Sequence, residues 1–212
     1  MKLLLLFLSA GVFAQNVTNV DNEKVKVLTV VQGAGVKSKL HEHAVNRIMI
    51  HLNAGGQTLR YADGRVENQK WKAGGIDWSP AGGKHTSENP STVANTIVEV
   101  ELKQPAPARP AAFSPLDPVK LAPASYQVEL ENAQVRVLRV KIGPHQSVPL
   151  HEHGLPRVVV YMTDQDFKVT EADGKEELSK HKAGDVTFSG VAKHKEQNMS
   201  SRPFEVIVVE LK

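Results

Sequence analysis

The tetrapeptide Leu-His-Glu-His occurs twice in the chain, at Leu40–His43 and again at Leu150–His153. Two histidines separated by one residue share a face only on an extended strand, where successive side chains alternate. Imidazole is the commonest metal-ligating side chain. A strand that turns His-x-His toward a closed interior is therefore a candidate metal or small-molecule site. The intervening Glu42 and Glu152 belong to the opposite face.

The elements that must position these histidines are repeated with them. At an offset of 110 residues Val25-Lys26-Val27-Leu28 falls on Val135-Arg136-Val137-Leu138, Arg47 on Arg157, and Lys72-Ala73-Gly74 on Lys182-Ala183-Gly184. One deletion then changes the offset to 109, so that His85 meets His194, Asn89 meets Asn198 and Val100–Lys103 meets Val209–Lys212. Solenoid repeats have periods of about 20–50 residues, so a repeat of this size is a duplicated domain. The expected domains span residues 20–103 and 126–212. Between them Gln104–Ser125 carries six prolines and reads as a semi-rigid extended linker. Gln15–Asn22 reads as a loose arm or short edge strand.

Each unit reads as strands. Lys24–Val31 alternates with β-branched residues, and Thr58–Glu67 turns at Asp63-Gly64, a pair suited to a tight hairpin. Thr96–Leu102 puts Val98, Val100 and Leu102 on one face and Glu99 and Glu101 on the other. Lys175–Lys182 contains helix formers, but it is short, lies between turn signals, and has a counterpart at Arg65–Lys72 without that bias. Short strands with turn signals and no long amphipathic helix predict an all-β sandwich or barrel.

Composition narrows the chemistry. The 212 residues are 41% hydrophobic and 23% charged, with a formal charge of +3 and scattered basic residues, so nothing argues for nucleic acid. With no cysteine, a thiol nucleophile, a thiolate metal site and disulfides are all excluded. Residues 1–14 combine Lys2, an apolar run and small residues before polar Gln15, and read as a signal peptide rather than a span of about 20 apolar residues. The expectation is an exported protein, periplasmic or secreted, with no membrane segment after the signal is removed.

The chain resembles the cupin superfamily, and specifically its two-domain bicupins. The family motifs are G(x5)HxH(x3,4)E(x6)G and G(x5)PxG(x2)H(x3)N. Gly35, His41 and His43 match the start of the first, and Gly74, Pro80, Gly82, His85 and Asn89 match every fixed position of the second. The second repeat is looser: seven residues separate Gly143 from His151, and Gly190 stands at the proline position. The resemblance implies two jelly-roll (cupin) barrels from an internal duplication. It also implies a divalent metal (Fe, Mn, Ni, Cu or Zn) on His41, His43 and His85 in one barrel and His151, His153 and His194 in the other.

The departure from the pattern carries as much information. The glutamate position holds Arg47 and Arg157, and the longer spacing would put Ile48 and Val158 there. A guanidinium about 5 Å from a divalent ion is repelled by roughly 6 kcal/mol at an effective dielectric near 20. The arginine must therefore turn away, pair with a carboxylate or meet an anionic ligand. Three readings follow: a three-histidine metal site, favoured in the more faithful first barrel; a metal-free pocket binding a carboxylate or phosphate; or histidines hydrogen-bonded within a structural barrel. Arg47, Arg157, Asn89 and Asn198 are the candidate ligand-binding residues. Glu196, whose counterpart is Ser87, is the nearest carboxylate expected on the site's face.

His51 is expected to line the pocket or pack in the interior, His145 and His181 to lie on the surface, and Trp71 and Trp78 to pack. Asn16-Val17-Thr18 and Asn198-Met199-Ser200 match the glycosylation sequon. The expected function is metal-dependent chemistry on a small molecule, dioxygenation of an enol or phenol or isomerisation of a sugar-like substrate. The alternative is a non-catalytic binding protein for a small anionic ligand or a metal.

Overall fold

The computed structural model describes residues 15–212 apart from Pro110, and the apolar leader lies outside the described residues. The first unit comprises β1 (Gln15–Asp21), β2 (Val25–Gln32), β3 (His41–His43), β4 (Arg47–His51), β5 (Gly55–Tyr61), β6 (Val66–Trp71), β7 (Ile76–Ser79), β8 (Gly82–Glu88) and β9 (Asn95–Leu102). A single turn of helix, α1 (Pro118–Leu121), lies in the connection. The second unit repeats the pattern as β10 (Tyr126–Glu131), β11 (Val135–Ile142), β12 (Ser147–His153), β13 (Arg157–Tyr161), β14 (Gln165–Glu171), β15 (Glu176–His181), β16 (Val186–Ser189), β17 (Ala192–Asn198) and β18 (Phe204–Leu211).

Both units build the same two antiparallel sheets. The five-stranded sheets run β1-β2-β9-β4-β7 and β10-β11-β18-β13-β16, and the four-stranded sheets run β3-β8-β5-β6 and β12-β17-β14-β15. Neighbours distant in sequence alternate within each sheet, the mark of a jelly roll. Gln15–Asp21 is an edge strand paired with β2 rather than a loose arm. Glu176–His181 is a strand despite its helix formers: Gly174, at φ +89°, makes the turn that lays β15 against β14.

The principal apolar core lies between the barrels. It contains Val25, Val27, Ile48, Ile50, Val98, Val100 and Leu102 from the first, and Val135, Val137, Val158, Val160, Ile207, Val209 and Leu211 from the second. These are matched pairs of the sequence repeat, so the two five-stranded sheets meet through equivalent surfaces, as the halves of an isologous dimer do. The consequence for the barrel interiors follows from strand parity. With Val98, Val100 and Leu102 facing the other barrel, Glu99 and Glu101 face their own interior. With Ile207, Val209 and Leu211 facing outward, Phe204, Val206, Val208 and Glu210 face inward, and the first three pack in a smaller core inside the second barrel.

The linker is docked rather than a bare spacer. Asp117 caps α1 by accepting from the Val119 N–H at 3.0 Å, and its other oxygen accepts from Arg136 Nη2 at 2.6 Å. Phe113 lies under the same guanidinium at 3.6 Å, and Ser114 donates to Glu152 at 2.6 Å. Replacing Asp117 by alanine should cost about 2–3 kcal/mol, from the lost cap and the half-partnered buried guanidinium. The midpoint in urea unfolding measures it.

Candidate functional site

In the second barrel β12 and β17 pair with His151 opposite His194, and His153 follows two residues along the same face of β12. The three rings sit 4.8, 5.1 and 5.6 Å apart between centroids. All three histidines are buried, and each offers a ring nitrogen within 4.8 Å of the others. The first barrel repeats the figure, with His41, His43 and His85 at 4.7, 4.9 and 5.6 Å. Both sets of three expected residues are thus brought together.

The surroundings of the two triads differ, and the difference decides what each can hold. His151 Nδ1 lies 2.9 Å from the carbonyl of Pro149 and His153 Nδ1 lies 2.9 Å from Glu210 Oε1. A carbonyl and a carboxylate only accept, so both Nδ1 atoms carry the proton and both Nε2 atoms present bare lone pairs. His194 Nε2 is buried without a hydrogen-bond partner. Glu196 Oε1 stands 3.7 Å from it, and Glu196 Oε2 accepts from the Tyr126 hydroxyl at 2.7 Å. That hydroxyl also lies 3.2 Å from His151 Nε2, but its one proton cannot serve both acceptors. Lone pairs therefore outnumber protons here, the donor set that suits a divalent cation.

A buried network holds this arrangement. Glu210 accepts from His153 through one oxygen and from Arg136 Nε, at 2.6 Å, through the other, while Arg136 reaches on to Asp117. The linker is thereby connected to a site histidine through two ion pairs. Arg157, also buried, donates to the carbonyl of Gly190 at 2.6 Å. It lines a cavity of about 280 Å³ with Tyr126, His153, His194 and Glu196.

In the first barrel the arginine stays in the centre. Arg47 Nη1 lies 2.6 and 2.7 Å from the two ring nitrogens of His43 and donates to Glu99 Oε2 at 2.9 Å. A guanidinium this close to both ring nitrogens stands against the His43 imidazole, so a metal could bind all three histidines only by displacing it. The residues as arranged here do not fit a divalent ion; the donors of the second barrel do. The missing carboxylate of the sequence reading is supplied in both barrels from elsewhere: Glu99 and Glu101 lie beside His43, and Glu210 and Glu196 beside the second triad.

Burial, with Arg47 adding to it, holds the His43 imidazole down to about 3. Burial likewise holds His194 down to about 4, against the opposing pull of Glu196. For Glu196, burial is outweighed by the facing imidazoles, His194 foremost, and its carboxyl lies below the usual range. A buried neutral histidine binds its proton less readily folded than unfolded, so between pH 6.5 and about 4 the unfolded state carries more protons. Stability of the metal-free protein should fall as pH drops through that window and go on falling below it as His43, held down to about 3, and the depressed carboxyls of Glu196 and Glu210 take up protons. His194 alone contributes on the order of 3 kcal/mol. Urea midpoints across the pH range test this.

Other expected residues take structural places. Asn89 donates to the carbonyls of Gln32 and Val93 and accepts from Ser91; Asn198 donates to those of Ile142, Gly143 and Arg202 and accepts from Ser200. Fully buried, both side chains clamp their loops through backbone groups, and burial closes the Asn198 sequon to a glycan in the folded state. His51 stacks on Trp71 at 4.1 Å, and in the second barrel Tyr161 stacks on His181 at 3.8 Å. The repeat thus preserves an aromatic pair while exchanging its members. His181 is part of this packing rather than a free surface residue, whereas His145 is exposed as expected.

No family model and no curated protein matches the chain. Among solved structures it is similar to AerE from Microcystis aeruginosa, at 15% identity over 94% of this chain and 97% of that one, with a TM-score of 0.65. It is similar to Bacillus subtilis oxalate decarboxylase, at 15% identity over 93% of this chain and 72% of that one, with a TM-score of 0.61. A cupin 2 conserved barrel domain protein from Leptotrichia buccalis aligns at 11% identity over 96% and 90%, with a TM-score of 0.55. The fold is that of a bicupin. The likeness runs through both barrels, and the Bacillus protein carries Mn(II) centres. Each barrel of the chain brings three histidines together; in the first an arginine lies against one of the rings, and in the second the arginine is bonded to Gly190 at the wall of the same cavity.

Proposed function

We propose that the protein is an exported, metal-dependent bicupin whose working centre is the second barrel, holding one divalent ion on His151, His153 and His194 and admitting a small anionic substrate beside Arg157. The observation that carries the reading is the contrast between the arginines: Arg47 lies on the His43 ring, whereas Arg157 is bonded to Gly190. This leaves the Nε2 lone pairs of His151 and His153, whose Nδ1 atoms are anchored as those of His41 and His85 are, beside the unpartnered Nε2 of His194. When bound, the ion would supply Lewis-acid charge and open coordination positions. The chain's own residues do the rest. Arg157 offers a guanidinium to a carboxylate or enolate, and the cavity of about 280 Å³ limits the substrate to a small molecule.

Likeness to oxalate decarboxylase supports a small carboxylate as the substrate class, and export rests on the apolar leader. Dioxygenation of an enol and isomerisation both begin with chelation of such an anion, so both fit this centre. Capture without turnover is the reading favoured for the first barrel, where Arg47 and Glu99 occupy the middle of the triad. Elemental analysis after expression with iron, manganese, nickel, copper and zinc supplied should find one equivalent per chain. His41→Ala and His43→Ala should retain it, and less than about a tenth of an equivalent in the native protein would end the metal reading.

A further inference from the structure

Three histidines alone leave Glu196 and its partner Tyr126, both inside the second barrel, without a role. We infer that Glu196 is a fourth ligand of the second-barrel centre, delivering from β17 the carboxylate that Arg157 displaces from the first motif. The inference rests on the metal reading above. Glu196 follows His194 by two residues on one strand, so both side chains emerge on the interior face. Its Oε2 is anchored by Tyr126, which is 2% exposed, and this directs Oε1 toward His194 Nε2 at 3.7 Å. Two ligands with bonds of about 2.1 Å to one ion stand roughly 3.0–3.4 Å apart, so Oε1 is near ligating distance from His194 and must swing inward to join the cluster that the three histidines form.

The repeat shows that anchor and carboxylate belong together. Ser87 aligns with Glu196 and Asn16 aligns with Tyr126. In the first barrel Ser87, on β8, is bonded to Gln32 and Ser38, and a guanidinium stands at the centre. Both members are thus absent from the barrel whose triad is blocked and present in the one whose triad is open. The charge balance also defines the ligand. A divalent ion with one carboxylate and Arg157 leaves a net charge of about +2, which a monoanion or dianion bound at the open positions would reduce or cancel.

Cobalt(II) titration by calorimetry and visible absorption separates this inference from the reading beneath it. In Glu196→Gln and Glu196→Ala the affinity should fall at least tenfold and the d–d bands should change in intensity. Added formate should restore the native spectrum in the alanine variant. Thermal unfolding of the metal-free proteins identifies any variant that fails to fold, and the near-isosteric glutamine then carries the test. Native affinity and an unchanged spectrum in Glu196→Gln would overturn the inference while leaving the three-histidine centre intact. A native protein that takes up no cobalt would overturn the metal reading, and this inference with it.

Discussion

Replacing Glu210 with leucine should destabilise the protein by about 3–5 kcal/mol, the usual effect of removing one member of a buried ion pair. Glu210 is completely buried and accepts from both Arg136 and His153. Without it, Arg136 keeps only Asp117, and the His153 Nδ1–H faces an apolar side chain. Leucine fills much of the volume, so the loss measures unpaired polar groups rather than a cavity. Urea unfolding followed by fluorescence gives the magnitude; a loss below about 1 kcal/mol would mean that water reaches Arg136 and replaces the carboxylate. The milder Glu210→Gln leaves an acceptor for His153, and should lower metal affinity by about tenfold, at the low end of the usual cost of disturbing a ligand's supporting partner.

His151→Ala should have the larger effect on metal. The side chain is completely buried, and its Nε2 is aimed by the Pro149 carbonyl. Loss of the ligand itself should exceed the roughly 10–100-fold penalty for loss of a supporting partner. The readout is stabilisation by added metal: an ion at 100 times its dissociation constant stabilises a native protein by about 2.7 kcal/mol, and that increment should vanish in the variant. His41→Ala should leave it unchanged. The opposite pattern would move the working centre to the first barrel.

The contrast between the barrels shows where sequence reasoning reached and where it stopped. The duplicated His-x-His motif and its third histidine were legible because motif spacing and strand parity are local properties. The sequence reading favoured the first barrel as the more faithful motif copy, but similarity to the motif does not report where the arginine points. Arg47 and Arg157 occupy equivalent strands, yet one lies on a histidine and the other is drawn to the Gly190 carbonyl.

Glu196 was legible by strand parity, whereas Glu99, Glu101 and Glu210 escaped notice for a different reason. Alternation on β9 is ordinarily read as apolar inside and charged outside, and here that is reversed because the apolar face of each five-stranded sheet meets the other barrel. β18 held a usable signal: Glu210 shares parity with Phe204, Val206 and Val208, so it sits on an apolar face and needs a buried partner. Asn89 and Asn198 show the converse. They satisfy a motif position, and their amides are consumed by backbone groups that only the folded loops bring near.

The matched contact between the sheets has a consequence for how the molecule could be taken apart. A half-chain cut in the linker would expose seven buried aliphatic side chains on one flat face. Neither fragment should persist alone, while the two co-expressed should find each other and reassemble. The tether then acts as a local-concentration device that makes this pairing intramolecular. Joining the copies also released them from identity: a homodimer must place the same residue in both sites, whereas a fused pair can keep an ion-competent centre in one barrel and fill the other with a salt bridge.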